Sequence, residues 1–186
     1  MTGYEVRAYA ASDLDAWLRC RLLSFFGTQY YDDVVVERPA YPEPALYLVA
    51  AHADGVAGIL DVSVDGRAST IETVAVHSDH ARRGLATRLL ETALPRLAGL
   101  GVRTLDAWTR GDEAANAWYQ ARGFRENFRY LHVYKESDEP DDGFVSPSGL
   151  SAPVRAFCHA RLEHRAELTA RYRRVYECRQ YLRDVP

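Results

Sequence analysis

Lysine is nearly missing from this chain: Lys135 is the only one, and every other basic residue is arginine. That bias fits GC-rich coding and needs no functional reading. Cysteine is scarce as well. Cys20, Cys158 and Cys178 are odd in number and far apart, so neither a disulfide framework nor a metal-ligand spacing follows. Reduced thiols in the cytoplasm are the expectation. No apolar run approaches the roughly 18 residues that suggest a membrane span. The opening Met1-Thr2-Gly3-Tyr4-Glu5 lacks the basic-then-apolar pattern of a secretion signal. Neither sign of charge dominates: 23 basic residues face 26 acidic ones, for a net charge of -3. That balance gives no sign of a general nucleic-acid binder. Internal repeats are absent.

What is present suits a globular protein. Apolar residues make up 47% and charged residues 26%, which argues against disorder. The 186 residues allow one domain with a proper core, or one domain plus an appendage.

Tyr4 to Tyr9 reads as a strand. Ser12 and Asp13 offer an N-cap before Leu14, Trp17, Leu18, Arg21 and Leu22 at helical spacing. Pro39, Pro42 and Pro44 punctuate a loop. Three strands are then expected, at 45–51, 56–64 and 69–76. Asp54-Gly55 and Asp65-Gly66 are hairpin signals between them. A helix follows over 85–97, with Leu85, Leu89, Ala93 and Leu97 on one stripe. Pro95 should kink it or end its regular part. A strand at 102–108, a short helix at 112–121 and a last strand at 128–135 complete this part.

A break in composition comes next. Acids crowd around Pro140, so 137–150 reads as a linker after a domain of residues 1–136. Residues 151–186 carry eight arginines against four acids. Leu168, Tyr172, Val175, Tyr176 and Leu182 suggest an amphipathic helix there, although 175–182 also suits a strand. This extension has three readings. It packs on its own domain, swaps onto a second subunit as a homodimer, or covers a substrate site.

The most informative stretch runs from Val74 to Thr87. An apolar strand ends, a polar loop with Arg82, Arg83 and Gly84 follows, and a helix begins. A helix start exposes unpaired N–H groups and carries partial positive charge, so it suits a pyrophosphate. Gly84 admits phosphate oxygens to the backbone, and Ala86 is small enough not to block them. The plainer reading is a strand-to-helix loop with two solvated arginines. The loop is neither a P-loop nor a dinucleotide fingerprint, since both glycine patterns are absent.

Arg82-Arg83-Gly84-Leu85-Ala86 resembles the acetyl-coenzyme A signature of the GNAT superfamily, Gln/Arg-x-x-Gly-x-Gly/Ala. Ala81 departs from it, standing where the family has Gln or Arg. That removes a side-chain contact but no backbone donor. Residues 115–124, with Asn116, Tyr119, Gly123 and Phe124, resemble the family's Asn-x-x-Ala-x-x-x-Tyr-x-x-x-Gly-Phe helix and turn. Asp112 takes the first Asn position. The resemblance covers residues 4 to 135.

It implies an α/β (α+β) fold, with a central mixed, mostly antiparallel twisted sheet of about six to seven strands and helices on both faces. Two neighbouring parallel strands splay apart, and the pantetheine arm of acetyl-CoA pairs with backbone at Val74, Ala75 and Val76 like an added strand. Arg82, Arg83, Gly84, Leu85, Ala86 and Thr87 would hold the pyrophosphate, with Asn116 also on the cofactor. The implied activity is N-acetyl transfer to a primary amine of a small molecule or protein. Transfer of a longer acyl chain and a non-catalytic acyl-CoA-binding module are the alternatives.

An alkylammonium of pKa about 10.4 must lose a proton before attacking, which costs about 4–5 kcal/mol at pH 7. A carboxylate acting through water is one solution. Glu72 is the candidate, placed by alternation on the same strand face as Val74 and Val76. Its bland reading is an exposed acid or an arginine's partner. Tyr119 matches the family's tyrosine beside the sulfur. Full proton transfer from a phenol of pKa about 10 to a thiolate of about 8.5 is uphill by about 2 kcal/mol. It therefore suits a hydrogen-bond donor, or else it is a core tyrosine. His77 and His80 lack a third ligand, so no metal is expected. Asp106, Trp108 and Arg110 either face the acceptor or only pack and cap. Residues 29–33, Gln-Tyr-Tyr-Asp-Asp, suggest an acidic, aromatic wall for a cationic acceptor, or an ordinary helix–loop junction.

Overall fold

The computed structural model describes residues 3–186. Met1 and Thr2, part of the stretch read above for a secretion signal, lie outside the described residues. The elements begin with β1 (Glu5–Ala8), α1 (Leu14–Phe25), β2 (Ala45–His52), β3 (Gly55–Asp65), β4 (Ala68–Val76) and α2 (Leu85–Gly99). They continue with β5 (Thr104–Thr109), α3 (Glu113–Ala121), β6 (Arg125–Lys135), β7 (Ala156–Ala160), α4 (Arg165–Arg171) and β8 (Arg174–Asp184).

All eight strands form one sheet in the order β1-β2-β3-β4-β5-β8-β6-β7. The two Asp-Gly signals close antiparallel hairpins between β2 and β3 and between β3 and β4. β3 is central, and residues 56–62 are all buried. Burial on both faces requires a near-continuous apolar run. The strand supplies one, broken only by Gly58 and Asp61. α1 covers one face, where Trp17 and Cys20 pack on Val49, Ile59 and Ala75. α2 covers the other, where Leu85, Leu89, Leu90, Ala93 and Leu97 join Leu48, Leu60 and Val62. The helix runs through Pro95 to Gly99, past the early end that this proline suggests. Pro95 removes one N–H near the helix end, while fully buried Leu97 anchors the following turn.

β4 and β5 are the only parallel neighbours among the described residues, with α2 as the crossover. They pair only from Ala68–Ile71 to Thr104–Ala107. Beyond that point they diverge, leaving Thr73 to Val76 unpaired on the β5 side. This gap positions the site.

The C-terminal segment differs most from the sequence reading. Within it only Arg165–Arg171 is α-helical, and of the two readings of 175–182, helix and strand, the structure shows the strand. β8 enters the sheet between β5 and β6, pairing with both. Eight strands therefore stand where about six or seven were expected. The reason is long-range: without β8, two strands would present open N–H and C=O edges in the middle of the molecule. The acidic stretch at 137–150 is docked rather than free. Asp141 pairs with buried Lys135 at 2.8 Å, and Asp138 pairs with Arg173 at 2.5 Å. Among the described residues no helix is long and apolar enough to cross a membrane.

Candidate active site

Gly84 sits at φ +74 as the N-cap of the 15-residue α2. A Cβ there would meet nothing within 4 Å, so the backbone is open to an approaching group. Arg82, at φ +59, is left-handed too and exposed. This turn aims the first N–H groups of α2 outward, which is what an anion needs. The arginines divide their work. Arg83 Nη1 donates to the Tyr4 hydroxyl at 2.9 Å, tying the loop to the start of the chain's first strand. Arg82 makes no ion pair among the described residues. Leu85 buries its side chain in the core, and Thr87 Oγ1 accepts from Trp118 Nε1 at 3.1 Å. Leu85 therefore offers a phosphate only its backbone, while the Thr87 hydroxyl, accepting from Trp118, keeps its own O–H to donate. A pyrophosphate fits the donor set this loop presents.

A cavity of about 400 Å³ opens where β4 and β5 part. Val74, Ala75 and Val76 line it on one side, and Trp108, Thr109, Trp118 and Tyr119 on the other. Ala86 connects it to the cradle. α1 and the following loop close it with Arg21, Phe25, Thr28 and Tyr30.

Glu72 lines this cavity, but not in the orientation that alternation predicts. The β3–β4 register slips at this residue: Asp61 pairs with Thr73, and Val62 with Ile71. Glu72 is thus the extra residue of a β-bulge, which re-aims side chains. It turns from the face of Val74 and Val76 toward α1, where Ser63 Oγ donates to its Oε1 at 2.5 Å. It is exposed, and no arginine or lysine pairs with it among the described residues. A bulge of this kind is invisible to a period-2 count, because it depends on the partner strand.

Beside it lies an acid that the sequence reading passed over. Asp61 is fully buried, and neither carboxylate oxygen has a hydrogen-bond partner among the described residues. Burial pushes its pKa up to about 7, Glu72 adds to the rise, and Arg38 at 3.9 Å and the Trp17 indole pull the other way. The available signal was one acid inside the apolar run of β3.

Tyr119 is buried and lines the cavity. Its ring stacks on Tyr181 at 5.3 Å and packs edge-on against Trp118 and Phe124. Its hydroxyl donates to no described residue. Burial raises its pKa, with the neighbouring Tyr30 and Asp106 adding to the rise. Asn116, expected on the cofactor, is occupied elsewhere. Its Nδ2 donates to the carbonyls of Arg110 and Asp112 at 2.7 and 2.6 Å, and its Oδ1 accepts from Tyr181 at 2.8 Å. It does not line the cavity.

Comparison with known proteins decides the family. Residues 43–126 match the family described as the acetyltransferase (GNAT) domain. An acetyltransferase of Sodalis glossinidius, SG1711, is 30% identical over 115 residues, which cover 60% of this chain and 79% of that protein. The chain belongs to the GNAT acetyltransferase family. Mycothiol acetyltransferase of Clavibacter michiganensis subsp. michiganensis is 32% identical over 133 residues. The match spans 67% of this chain but only 43% of that protein's length. In three dimensions, the ribosomal-protein-S18-alanine N-acetyltransferase of Escherichia coli aligns with a TM-score of 0.61 at 17% identity, over 98% of this chain and 94% of that one. That likeness shows the GNAT fold.

Against the GNAT pattern, Asp112 has a clear local role: as N-cap of α3 it accepts from Ala115 N at 2.8 Å. The wall at 29–33 is aromatic but not acidic in effect. Asp33 is paired with Arg21 at 2.9 Å and Asp32 with Arg174 at 2.8 Å. The Asp32 pair is not legible in sequence because Arg174 arrives from the far end of the chain. It left Arg110 open, and the structure makes it the tie of this GNAT site. Its backbone N–H donates to the Tyr30 hydroxyl at 3.0 Å, and its side chain reaches His132 Nδ1 at 3.1 Å, the Gln29 carbonyl and the Tyr134 hydroxyl. Burial and the Arg110 charge lower the His132 pKa to about 4. His132 is therefore neutral at pH 7 and accepts through Nδ1.

Proposed function

We propose that this chain transfers the acetyl group of acetyl-CoA to a primary amine of a small molecule or protein. The observation that carries the reading is the cavity between the splayed ends of β4 and β5, which reaches Ala86, two residues from the open turn at Gly84. A thioester laid across it would have its phosphates at the start of α2 and its carbonyl near Tyr119. Glu72 stands on the α1 side of the same cavity, where an amine would enter. Its role would be to take the ammonium proton through water, and Ser63 would fix its orientation. Tyr119 would donate a hydrogen bond to the developing thiolate. Its raised pKa keeps it protonated and makes complete proton transfer less favourable, so donation is its part.

The acceptor is an amine of a small molecule or of a protein. The similar proteins include one named for each kind, a mycothiol acetyltransferase and a ribosomal-protein-S18-alanine N-acetyltransferase. Reduced Cys20 and Cys178, both buried thiols, fit a cytoplasmic setting.

The test is release of free thiol from acetyl-CoA across a panel of small amines and peptide N-termini. Turnover with at least one amine is expected, and Glu72→Gln should lower it most near pH 7. Binding of coenzyme A without turnover on any acceptor would make the chain an acyl-CoA-binding module. Failure to bind coenzyme A would overturn both readings.

A further inference from the structure

A shallow, open aromatic depression lies on the α1 side of the sheet, beyond the reach of that helix. Its floor is Trp108 of β5 with Phe128 and Tyr130 of β6, and its far wall is His159, Arg161 and His164. Trp108 and Phe128 both pair with Gln180 of β8, so their side chains share a face. Trp108 also lines the transfer cavity, so one indole is the wall common to both.

Two of these rings keep exposed surface, while Tyr130 is packed against His132 and His159 as well. Trp108 meets Tyr130 at 73° and Phe128 at 76°, while Phe128 and Tyr130 lie nearly parallel at 25°. Trp108 and Phe128 remain 38% and 55% exposed. Exposed apolar side chains that lie together, rather than singly, mark interaction surfaces on soluble proteins. Edge-to-face and offset contacts are the preferred geometry for a further ring. The charges at the rim are balanced: Glu163 lies 3.4 Å from Arg161 and 3.5 Å from His164. Recognition there falls to ring faces rather than to charge.

We propose that this aromatic surface binds an aromatic ring carried by the amine acceptor. The inference rests on acetyl transfer at the neighbouring cavity and names the substrate class of that site. Because Trp108 lines both sites, it offers the remainder of an acceptor held in the transfer cavity a route to Phe128 and Tyr130.

The experiment compares phenethylamine with n-butylamine. In thiol-release assays the wild type should favour phenethylamine in kcat/KM by at least about tenfold, and Phe128→Ala should reduce that ratio about tenfold. Phe128→Leu, which keeps an apolar side chain but not the ring, should reduce it by less. A ratio near one in the wild type, or one unchanged in Phe128→Ala, overturns the proposal. Saturation-transfer NMR on the phenethylamine ring protons reads binding without turnover. If no amine releases thiol, acetyl transfer fails, and this measurement decides alone. Saturation of the ring protons by the wild type that vanishes with Phe128→Ala keeps the aromatic site. No saturation by the wild type, or equal saturation by both proteins, removes it.

Discussion

Tyr119 carries a hydroxyl that no described residue engages, inside a cavity lined by Val74 to Val76 and Trp108. A buried phenol without a partner is costly unless a ligand supplies one. Its ring is held on three sides by Trp118, Phe124 and Tyr181, so removal of the oxygen leaves the packing intact. Tyr119→Phe should therefore fold with an unchanged or slightly higher Tm. It should lower kcat by about one to two orders of magnitude, as expected for loss of one hydrogen bond made chiefly in the transition state. The KM for acetyl-CoA should move little. Steady-state kinetics with a single amine checks this, and unchanged turnover would remove Tyr119 from the chemistry. Asn116 teaches the opposite lesson at this scale. Its motif position suggests a ligand contact, and its amide instead holds the carbonyls that end β5 and start α3.

Among the elements, the loop after α1 decides the shape of the acceptor side, and Arg110 holds that loop. One guanidinium joins Gln29, His132 and Tyr134, while its ring contact with Tyr30 is 4.0 Å. A lysine has no planar fork and cannot reach all three. Arg110→Lys should destabilise the fold by about 2–3 kcal/mol, since buried partners lose a charged donor. It should also raise the acceptor KM several-fold while the acetyl-CoA KM stays near wild type, because the cradle at Gly84 is not touched by this tie. A thermal melt with a two-substrate kinetic analysis checks both parts. An equal rise in both KM values would show a general loss of structure instead. Elements with local signals were legible from sequence. Asp54-Gly55 and Asp65-Gly66 set the β2–β3–β4 hairpins, and the leucine stripe with Gly84 set the start of α2. The bulge at Glu72 was not legible, because a register slip belongs to two strands together. Nor was the neutralised wall at 29–33, whose partners Arg21 and Arg174 are brought by tertiary structure.

For the whole molecule, the decisive feature is where the chain's last strand goes. Residues 174–184 carry an alternation weak enough to pass for a helical stripe, and nothing local says which edge they will join. In the structure they fill the gap between β5 and β6, and they bring Cys178, Tyr181 and Val185 into buried positions. Tyr181 reaches the site itself: it stacks on Tyr119 and donates to Asn116. A chain ended after Glu136 would match the composition break, yet it would leave β5 and β6 without their common neighbour. Two open strand edges and the removal of Tyr181 from the core exceed what a domain of marginal stability tolerates. Buried Lys135 would also be without its partner Asp141. The truncated chain should therefore aggregate or lack a cooperative thermal transition, as read by size-exclusion chromatography and circular dichroism. If it stayed monomeric, melted cooperatively and still bound coenzyme A, the C-terminal strand would be an accessory to the acetyltransferase core, and its stacking on Tyr119 would be incidental.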